Sequence, residues 1–271
     1  MPTATNGTVS IRYTIEAAAP ESAADPDEAI VFCGDIGLGP WQFGWQHAAL
    51  AGRYPVVIPE TRGVGGSDTP PGPYTIDQLA ADLDAVCTAV GRRNVHLVGY
   101  GLGGMVALQY ALAATRPASL TVIGAPAAGD RYNPDGVWAD PNLPSAVEGS
   151  LTGLLSASFR ERHPDALAPI VQWRCTEDAN QAAFSAQKAA IDSFDITDRL
   201  YELTTPTLVI HGTDDTVCPP VSATELADGL PRGERRAIDG ARHFVGIEAS
   251  AAVNDAVTAW LAEHAGTPLS A

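Results

Sequence analysis

Residues 95–104 read VHLVGYGLGG, an apolar run that passes directly into a glycine-rich turn. The apolar run predicts a buried β-strand, and the apolar residues that follow the turn at helical spacing predict a helix that ends before Pro117. Gly99 and Gly103 flank the turn, where a side chain would collide with neighbouring backbone. The stretch therefore predicts a tight strand–turn–helix unit centred on Gly101.

Short apolar runs on both sides of this unit alternate with helical patterns, which is typical of a mainly parallel sheet flanked by helices. One intervening helix has clear ends, because Thr75 and Gln78 form a capping box and Gly91 closes its last turn. The run at 9–15 alternates apolar and polar residues, as expected for an edge strand. The predicted strands are Val9–Ile15, Ala29–Cys33, Pro55–Ile58, Val95–Gly99, Leu120–Gly124, Thr207–His211 and Arg235–Ile238.

Strand signals stop between Ala128 and Asp198, where three helical segments are predicted instead, near Ala146–Phe159, Asp165–Val171 and Asn180–Ile191. A helical insertion between two parallel strands predicts a cap over the carboxyl edge of the sheet, where ligands of open α/β folds bind. We therefore predict an α/β core formed by residues 1–127 and 201–271, with a helical cap formed by residues 128–200.

The chain has 271 residues and a formal net charge of −16, with 32 acidic against 16 basic residues. Such a charge repels nucleic acid and anionic lipid, so neither is expected as a partner. The single lysine, Lys188, is typical of proteins from salt-loving microbes, although an arginine-biased, GC-rich genome gives a similar composition. No long apolar segment or basic leader is seen, and we expect a cytoplasmic protein.

The cysteines and histidines show no metal or cofactor motif. The four cysteines have no C-x-x-C spacing and the six histidines no H-E-x-x-H spacing. Those spacings place two ligands on one side of a metal ion. The sequence therefore predicts neither a metal site nor a cofactor.

The glycine-rich turn resembles the nucleophile elbow of the α/β-hydrolases, G-x-S-x-G-G, with Gly101 at the nucleophile position. It also matches the dinucleotide-binding pattern G-x-G-x-x-G, but that pattern belongs to the first strand–helix unit and needs an acidic residue about 20 positions later. The next strand ends VIGAP at residues 122–126, without an acid. Residues 31–37 (VFCGDIG) resemble the family's oxyanion loop, and residues 60–68 (ETRGVGGSD) resemble its D-x-R-G-x-G-x-S-D segment.

The resemblance also implies a catalytic acid and histidine. Residues 211–219 (HGTDDTVCP) resemble the strand end and loop that carry the family's triad acid, which the register assigns to Asp215, with Asp214 as the alternative. Residues 240–244 (GARHF) resemble the loop that carries the triad histidine, His243. The order nucleophile, acid, histidine along the chain is that of the family.

Further site residues follow from the same resemblance. The backbone N–H groups of Asp35 and Leu102 are the expected oxyanion donors, although the Asp35 carboxylate could instead bond its own turn. Tyr100, Trp41 and Trp138 are predicted to contact substrate. Tyr100 lies beside the elbow, at a position whose side chain usually points away from the pocket, and aromatic residues after the oxyanion loop, Trp41 among them, are as often core. An apolar lining favours a small ester, a lactone or a similar organic molecule.

Gly101 has no side chain, so no acyl-enzyme can form on it. Three explanations stay open: an engineered substitution, a reaction that uses the His243/Asp215 pair without serine, or a protein that only binds a ligand or partner. If the pocket is otherwise intact, Gly101→Ser should place a hydroxyl within reach of His243 and produce ester hydrolysis. The sequence therefore predicts a protein of hydrolase type with an incomplete triad.

Overall fold

The computed structural model describes residues 1–19, 27–113 and 117–265, and within them eight strands form one sheet. The sheet order is β1-β2-β4-β3-β5-β6-β7-β8. Pairing is antiparallel for β1 with β2 and for β2 with β4, and parallel for all other neighbours. The strands are β1 Thr3–Asn6, β2 Val9–Glu16, β3 Glu28–Cys33, β4 Val56–Pro59, β5 Asn94–Tyr100, β6 Pro117–Ile123, β7 Thr207–Gly212 and β8 Gly233–Ile238.

Helices cover both faces of the sheet and its carboxyl edge, which confirms the predicted fold class. Four of them, α4 to α7, lie between β6 and β7, and we call residues 128–200 the cap. The helices are α1 Gly44–Leu50, α2 Ile76–Val90, α3 Leu102–Ala113, α4 Pro144–Leu154, α5 Ala157–Arg162, α6 Pro164–Glu177, α7 Gln181–Asp192, α8 Val221–Gly229, α9 Val245–Glu248 and α10 Ser250–His264. None of the described helices is long and apolar enough to cross a bilayer.

The sequence of each strand accounts for how deeply it is buried in the sheet. Every residue of β3 is buried, as its nearly continuous apolar sequence predicts for a strand covered on both faces. In β2 only Ile11 and Tyr13 are fully buried, in agreement with the alternating pattern. The prediction that β2 is the edge strand is wrong, because the short strand β1 pairs outside it.

The two local signals at the ends of α2 are confirmed. The Thr75 side chain accepts a hydrogen bond from the backbone of Gln78, and the Gln78 side chain accepts one from the backbone of Thr75. Gly91 has φ +71°, the left-handed conformation that ends many helices. The helix is therefore fixed in length and lies beside α3, the helix that follows the glycine-rich turn.

Candidate active site

The predicted strand–turn–helix unit lies at the carboxyl end of β5. Gly101 joins β5 to α3 with φ +49°, a conformation that a residue with a side chain adopts only under strain. A Cβ atom at Gly99 would lie 2.5 Å from the carbonyl oxygen of Gly103, and one at Gly103 would overlap the carbonyl group of Cys33. Glycine is thus required at both flanking positions, as predicted.

His243 and Asp215 form a buried pair beside this turn. The Nδ1 atom of His243 lies 2.8 Å from Oδ2 of Asp215, and both side chains are almost completely inaccessible to solvent. The other oxygen of Asp215 accepts hydrogen bonds from the backbone N–H groups of Val217 and Cys218. Asp214 is exposed and makes no such contact, so Asp215 is the acid that orients the imidazole.

The Asp35 carboxylate occupies the space that a side chain at residue 101 would fill. A Cβ atom built on Gly101 would overlap Oδ1 of Asp35 and would lie 2.6 Å from the hydroxyl oxygen of Tyr132. Oδ2 of Asp35 lies 3.1 Å from Nε2 of His243. The carboxylate of Asp35, from the oxyanion loop, therefore faces the imidazole in the position where the turn at Gly101 has no side chain.

Three donors hold the other oxygen of this carboxylate. Oδ1 of Asp35 accepts hydrogen bonds from the backbone N–H of Leu102 at 2.9 Å, the backbone N–H of Ile36 at 2.7 Å and the hydroxyl of Tyr132 at 2.7 Å. The Leu102 N–H is the predicted oxyanion donor, and it is already engaged. Asp35 is completely buried, and these bonds compensate for the loss of water around its charge.

The Asp35 N–H, the other predicted oxyanion donor, is also engaged. That N–H donates to Oε1 of Gln42 at 2.9 Å. The alternative, that the carboxylate bonds its own turn, accounts for the Ile36 contact but not for the contacts with Leu102, Tyr132 and His243. It follows that Gly101→Ser alone does not complete a serine triad, because the Asp35 carboxylate fills the required space.

The charges around His243 determine its protonation. Burial alone would lower the pKa of His243, but the attraction and hydrogen bond of Asp215, followed by those of Asp35, raise it to about 10. Burial raises the pKa of the Tyr132 hydroxyl well above its usual value, and the neighbouring Asp35 raises it further. At neutral pH the site thus contains an imidazolium between two carboxylates and a neutral phenol.

The predicted aromatic contacts lie in different places. The Tyr100 hydroxyl donates to the backbone carbonyl oxygen of His243, so it supports the histidine loop. A contact of Tyr100 with substrate stays a prediction. The indole N–H of Trp41 donates to Asp178 at 2.8 Å, and Trp138 packs against Phe184 with ring centroids 4.5 Å apart. These two tryptophans lie where the cap meets the core.

Tyr132 belongs to the site, and no motif in the sequence indicated it. Its hydroxyl oxygen lies 3.2 Å from Nε2 of His243, in addition to its bond with Asp35. It is the only tyrosine in the connection between Asp130 and Pro144, just after β6. Its position beyond the carboxyl end of a central strand was the one available signal.

The cap encloses these groups. Asp35, His243 and Tyr132 are each at least nine-tenths buried. Beside them, the oxyanion loop and the cap leave only a narrow gap, lined by residues that include Ile36, Trp138 and Phe184. Among the described residues, no group of three or more His, Cys, Asp or Glu side chains is arranged to hold a metal ion.

Comparison with known proteins identifies the family. The model of the family described as alpha/beta hydrolase fold matches residues 32–250. This chain belongs to the α/β-hydrolase fold family. It is similar to a putative carbamate hydrolase RutD from Variovorax paradoxus, with 31% identity over 217 residues, which are 72% of this chain and 77% of the relative.

Solved structures of the same fold superimpose closely on this α/β-hydrolase. The enol-lactonase from Burkholderia xenovorans LB400 has a TM-score of 0.82 and 24% identity, over 96% of this chain and 100% of the other. Est816, described as an N-acyl homoserine lactone degrading enzyme, has a TM-score of 0.80 and 26% identity, over 96% and 100% of the two chains. At 24% identity, the similarity to the enol-lactonase concerns the fold alone.

Proposed function

We propose that this protein is an enzyme that hydrolyses a small, uncharged organic molecule without a residue of the elbow as nucleophile. In this proposal Asp35 is the group that reacts with substrate or water, and His243, oriented by Asp215, moves the proton. The contact of 3.1 Å between Oδ2 of Asp35 and Nε2 of His243, in the space left by Gly101, carries the proposal. A carboxylate and an imidazolium in contact are a competent base and acid.

The cost of the arrangement argues against a purely structural or ligand-binding role. The buried side chains of Asp35 and Asp215 both contact the buried imidazolium of His243, and removing each charge from water costs several kcal/mol before its partners compensate. Groups buried in this way, with a strongly displaced pKa, are concentrated at functional sites. A protein that only binds a ligand gains nothing from keeping Asp215 and His243 paired beside Asp35.

The substrate class rests on two lines of support. Relatives include proteins described as a carbamate hydrolase and as an N-acyl homoserine lactone degrading enzyme, and these names favour small molecules of ester, lactone or carbamate type. Two carboxylates against one imidazolium leave the site with a net negative charge, which disfavours an anionic substrate.

We also propose a cytoplasmic location and no disulfide-dependent stability. All four cysteines are free, and Cys33, Cys87 and Cys218 are buried. Thiols that stay reduced are typical of proteins in reducing compartments.

The test is hydrolysis of a panel of small neutral esters, lactones, carbamates, epoxides and alkyl halides near neutral pH. Asp35→Asn and His243→Gln should each lower kcat/KM by roughly 100-fold or more, the usual contribution of a positioned acid or base. Asp214→Asn is the matched control, because this exposed carboxylate neighbours Asp215 and should leave the activity unchanged.

Circular dichroism and thermal melting should show that each variant is folded. A wild-type protein with no turnover of any member of the panel contradicts the proposal and favours ligand binding. Full activity in folded Asp35→Asn also contradicts it.

A further inference from the structure

We propose that Asp35 is a covalent nucleophile, which takes up an alkyl group from an electrophilic saturated carbon and forms an ester with it. This inference rests on the proposed function but narrows its substrate class: in place of the ester-type molecules that the relatives' names favour, it takes a small alkyl halide or strained cyclic ether. Nucleophile and elbow are then separate in this chain, because the reacting side chain comes from the oxyanion loop after β3.

The hydrogen bonds of Oδ1 are the main argument. The N–H groups of Leu102 and Ile36 point at this oxygen, with the Tyr132 hydroxyl as a third donor. The same donors would stabilise the negative charge on Oδ1 when water attacks an ester of Asp35. A substrate carbonyl has no access to them while Asp35 is in place. The oxyanion hole is therefore assembled around the carbonyl carbon of Asp35 itself.

The second argument is the leaving group. If Asp35 attacked an ester carbonyl, the intermediate would have to expel an alkoxide, which is a much poorer leaving group than the carboxylate that had just added, and it would collapse back. Displacement at a saturated carbon, with a halide or a strained ring oxygen as leaving group, gives a stable alkyl ester instead. Such an ester is the species that the donors around Oδ1 are placed to hydrolyse.

The first step forms the ester. Oδ2 of Asp35 forms a bond to the substrate carbon, and the bond to the leaving group breaks with its electron pair on that group. Asp35 is then neutral, so one of the two carboxylates that hold the proton on His243 is lost. The proton on Nε2 of His243 consequently becomes acidic enough to pass to the alkoxide of an opened ring, or to water when the leaving group departs as a halide ion.

The second step hydrolyses the ester. Nε2 of His243 takes a proton from water, the hydroxide adds to Cγ of Asp35, and the negative charge develops on Oδ1. The bond between Cγ and Oδ2 then breaks, and the alcohol oxygen takes the proton from Nε2. The remaining acid proton of Asp35 returns to His243. In sum, a halide and water give an alcohol and hydrogen halide, whereas a cyclic ether and water give a diol.

The experiment traps the ester in His243→Gln, which lacks the base for the second step. The probes are styrene oxide in one arm and benzyl bromide in the other, and peptide mass mapping locates the adduct. An adduct on Asp35 supports the inference, and the arm in which it forms identifies the leaving group. The adduct should be lost in Asp35→Asn/His243→Gln and kept in Asp214→Asn/His243→Gln. No adduct on Asp35 in either arm overturns the inference.

A single turnover of the wild-type protein in 18O-labelled water gives an independent result. The peptide containing Asp35 should gain one 18O atom, and the first alcohol released should contain none. Hydrolysis of esters that requires Asp35 but leaves this peptide unlabelled overturns the covalent step, while the proposed function stands. Absence of turnover across the substrate panel overturns the proposed function through its own assay.

Discussion

Gly101 and Asp35 share one volume, so substitutions at the two positions should be strongly coupled. In Gly101→Ala the new Cβ overlaps Oδ1 of Asp35 and φ stays at +49°. We expect a loss of about 2–6 kcal/mol in the free energy of unfolding, from strain of about 1–3 kcal/mol and overpacking of similar size. In Asp35→Ala/Gly101→Ala the overpacking is relieved, and urea unfolding of all four proteins should give a coupling energy above about 1 kcal/mol.

Gly91→Ala is the control for this cycle. Gly91 has φ +71°, but a Cβ atom there has no neighbour within 4 Å. Its substitution should cost the strain alone and should be additive with Asp35→Ala. If Gly101→Ala is equally additive, the two residues do not compete for space. Ester hydrolysis in Gly101→Ser that is absent from wild type would point to the same conclusion.

His243 should make stability depend on pH in the weakly alkaline range. Its pKa of about 10 lies above the value of about 6.5 for an unfolded histidine. The folded protein keeps a proton that the unfolded chain releases, so the stabilisation is complete below about pH 6.5 and is lost as pH rises towards 10. Between about pH 7 and 8.5, the free energy of unfolding should fall by up to about 1.4 kcal/mol per pH unit.

His243→Gln should remove most of this slope, which urea unfolding at several pH values measures. The other histidine and the cysteines with displaced pKa values affect stability outside this pH range. Burial lowers the pKa of His211, so this residue contributes only below about pH 6.5. Burial raises the pKa of the Cys33 and Cys218 thiols, whose contributions therefore begin above about pH 8.5. An unchanged slope in His243→Gln would mean that the imidazole is neutral in the folded protein.

Among the elements, strands and helices with strong local signals could be predicted, whereas β1 could not. All seven predicted strands are present, and most of them are buried parallel strands, which need apolar runs with breaks at their ends. The four residues TATN of β1 lack such a run and form a strand only through antiparallel pairing with β2. β6 begins at Pro117 rather than at Leu120, since its first residues are small or polar yet still buried.

The same distinction applies to the candidate site. Gly101, Asp215 and His243 could be located because each belongs to a turn or loop whose backbone needs glycine or a fixed register. The role of the Asp35 carboxylate could not be predicted, because it depends on contacts with residues far away in the sequence. His243 lies 208 residues away along the chain and Tyr132 lies 97 residues away. It also depends on Gln42, whose side chain accepts a hydrogen bond from the Asp35 N–H and so orients the loop.

Helix α6 connects the cap to the loop that carries Asp35. Arg174 in α6 is buried and donates to Asp178, which lies just after this helix. Asp178 in turn accepts hydrogen bonds from the backbone of Gly39 and the indole of Trp41. A movement of the cap would have to break these hydrogen bonds or shift the oxyanion loop with it. Opening of the site would therefore be coupled to the position of the Asp35 carboxylate.

At the scale of the whole molecule, the net charge of −16 predicts a stability that depends on salt. Repulsion between acidic side chains on one surface is screened as ions are added, since the Debye length falls from about 10 Å at 0.1 M to about 3 Å at 1 M. If the surface is adapted to high salt, the melting temperature should rise between low and molar KCl. Each kcal/mol gained shifts Tm by about 2–4 °C in a chain of this size.

A variant with fewer charges separates this effect from general stabilisation by salt. Glu161, Asp228 and Glu263 are exposed, and Asp228 and Glu263 lie near the carboxyl ends of α8 and α10, where negative charge is unfavourable. Glu161→Gln/Asp228→Asn/Glu263→Gln removes three negative charges, so it should melt higher than wild type at low salt and gain less from KCl. Sucrose, which stabilises without screening, should raise Tm equally in both proteins. A wild-type Tm that is flat or falls with KCl would contradict adaptation to salt and favour a GC-rich genome as the origin of the composition.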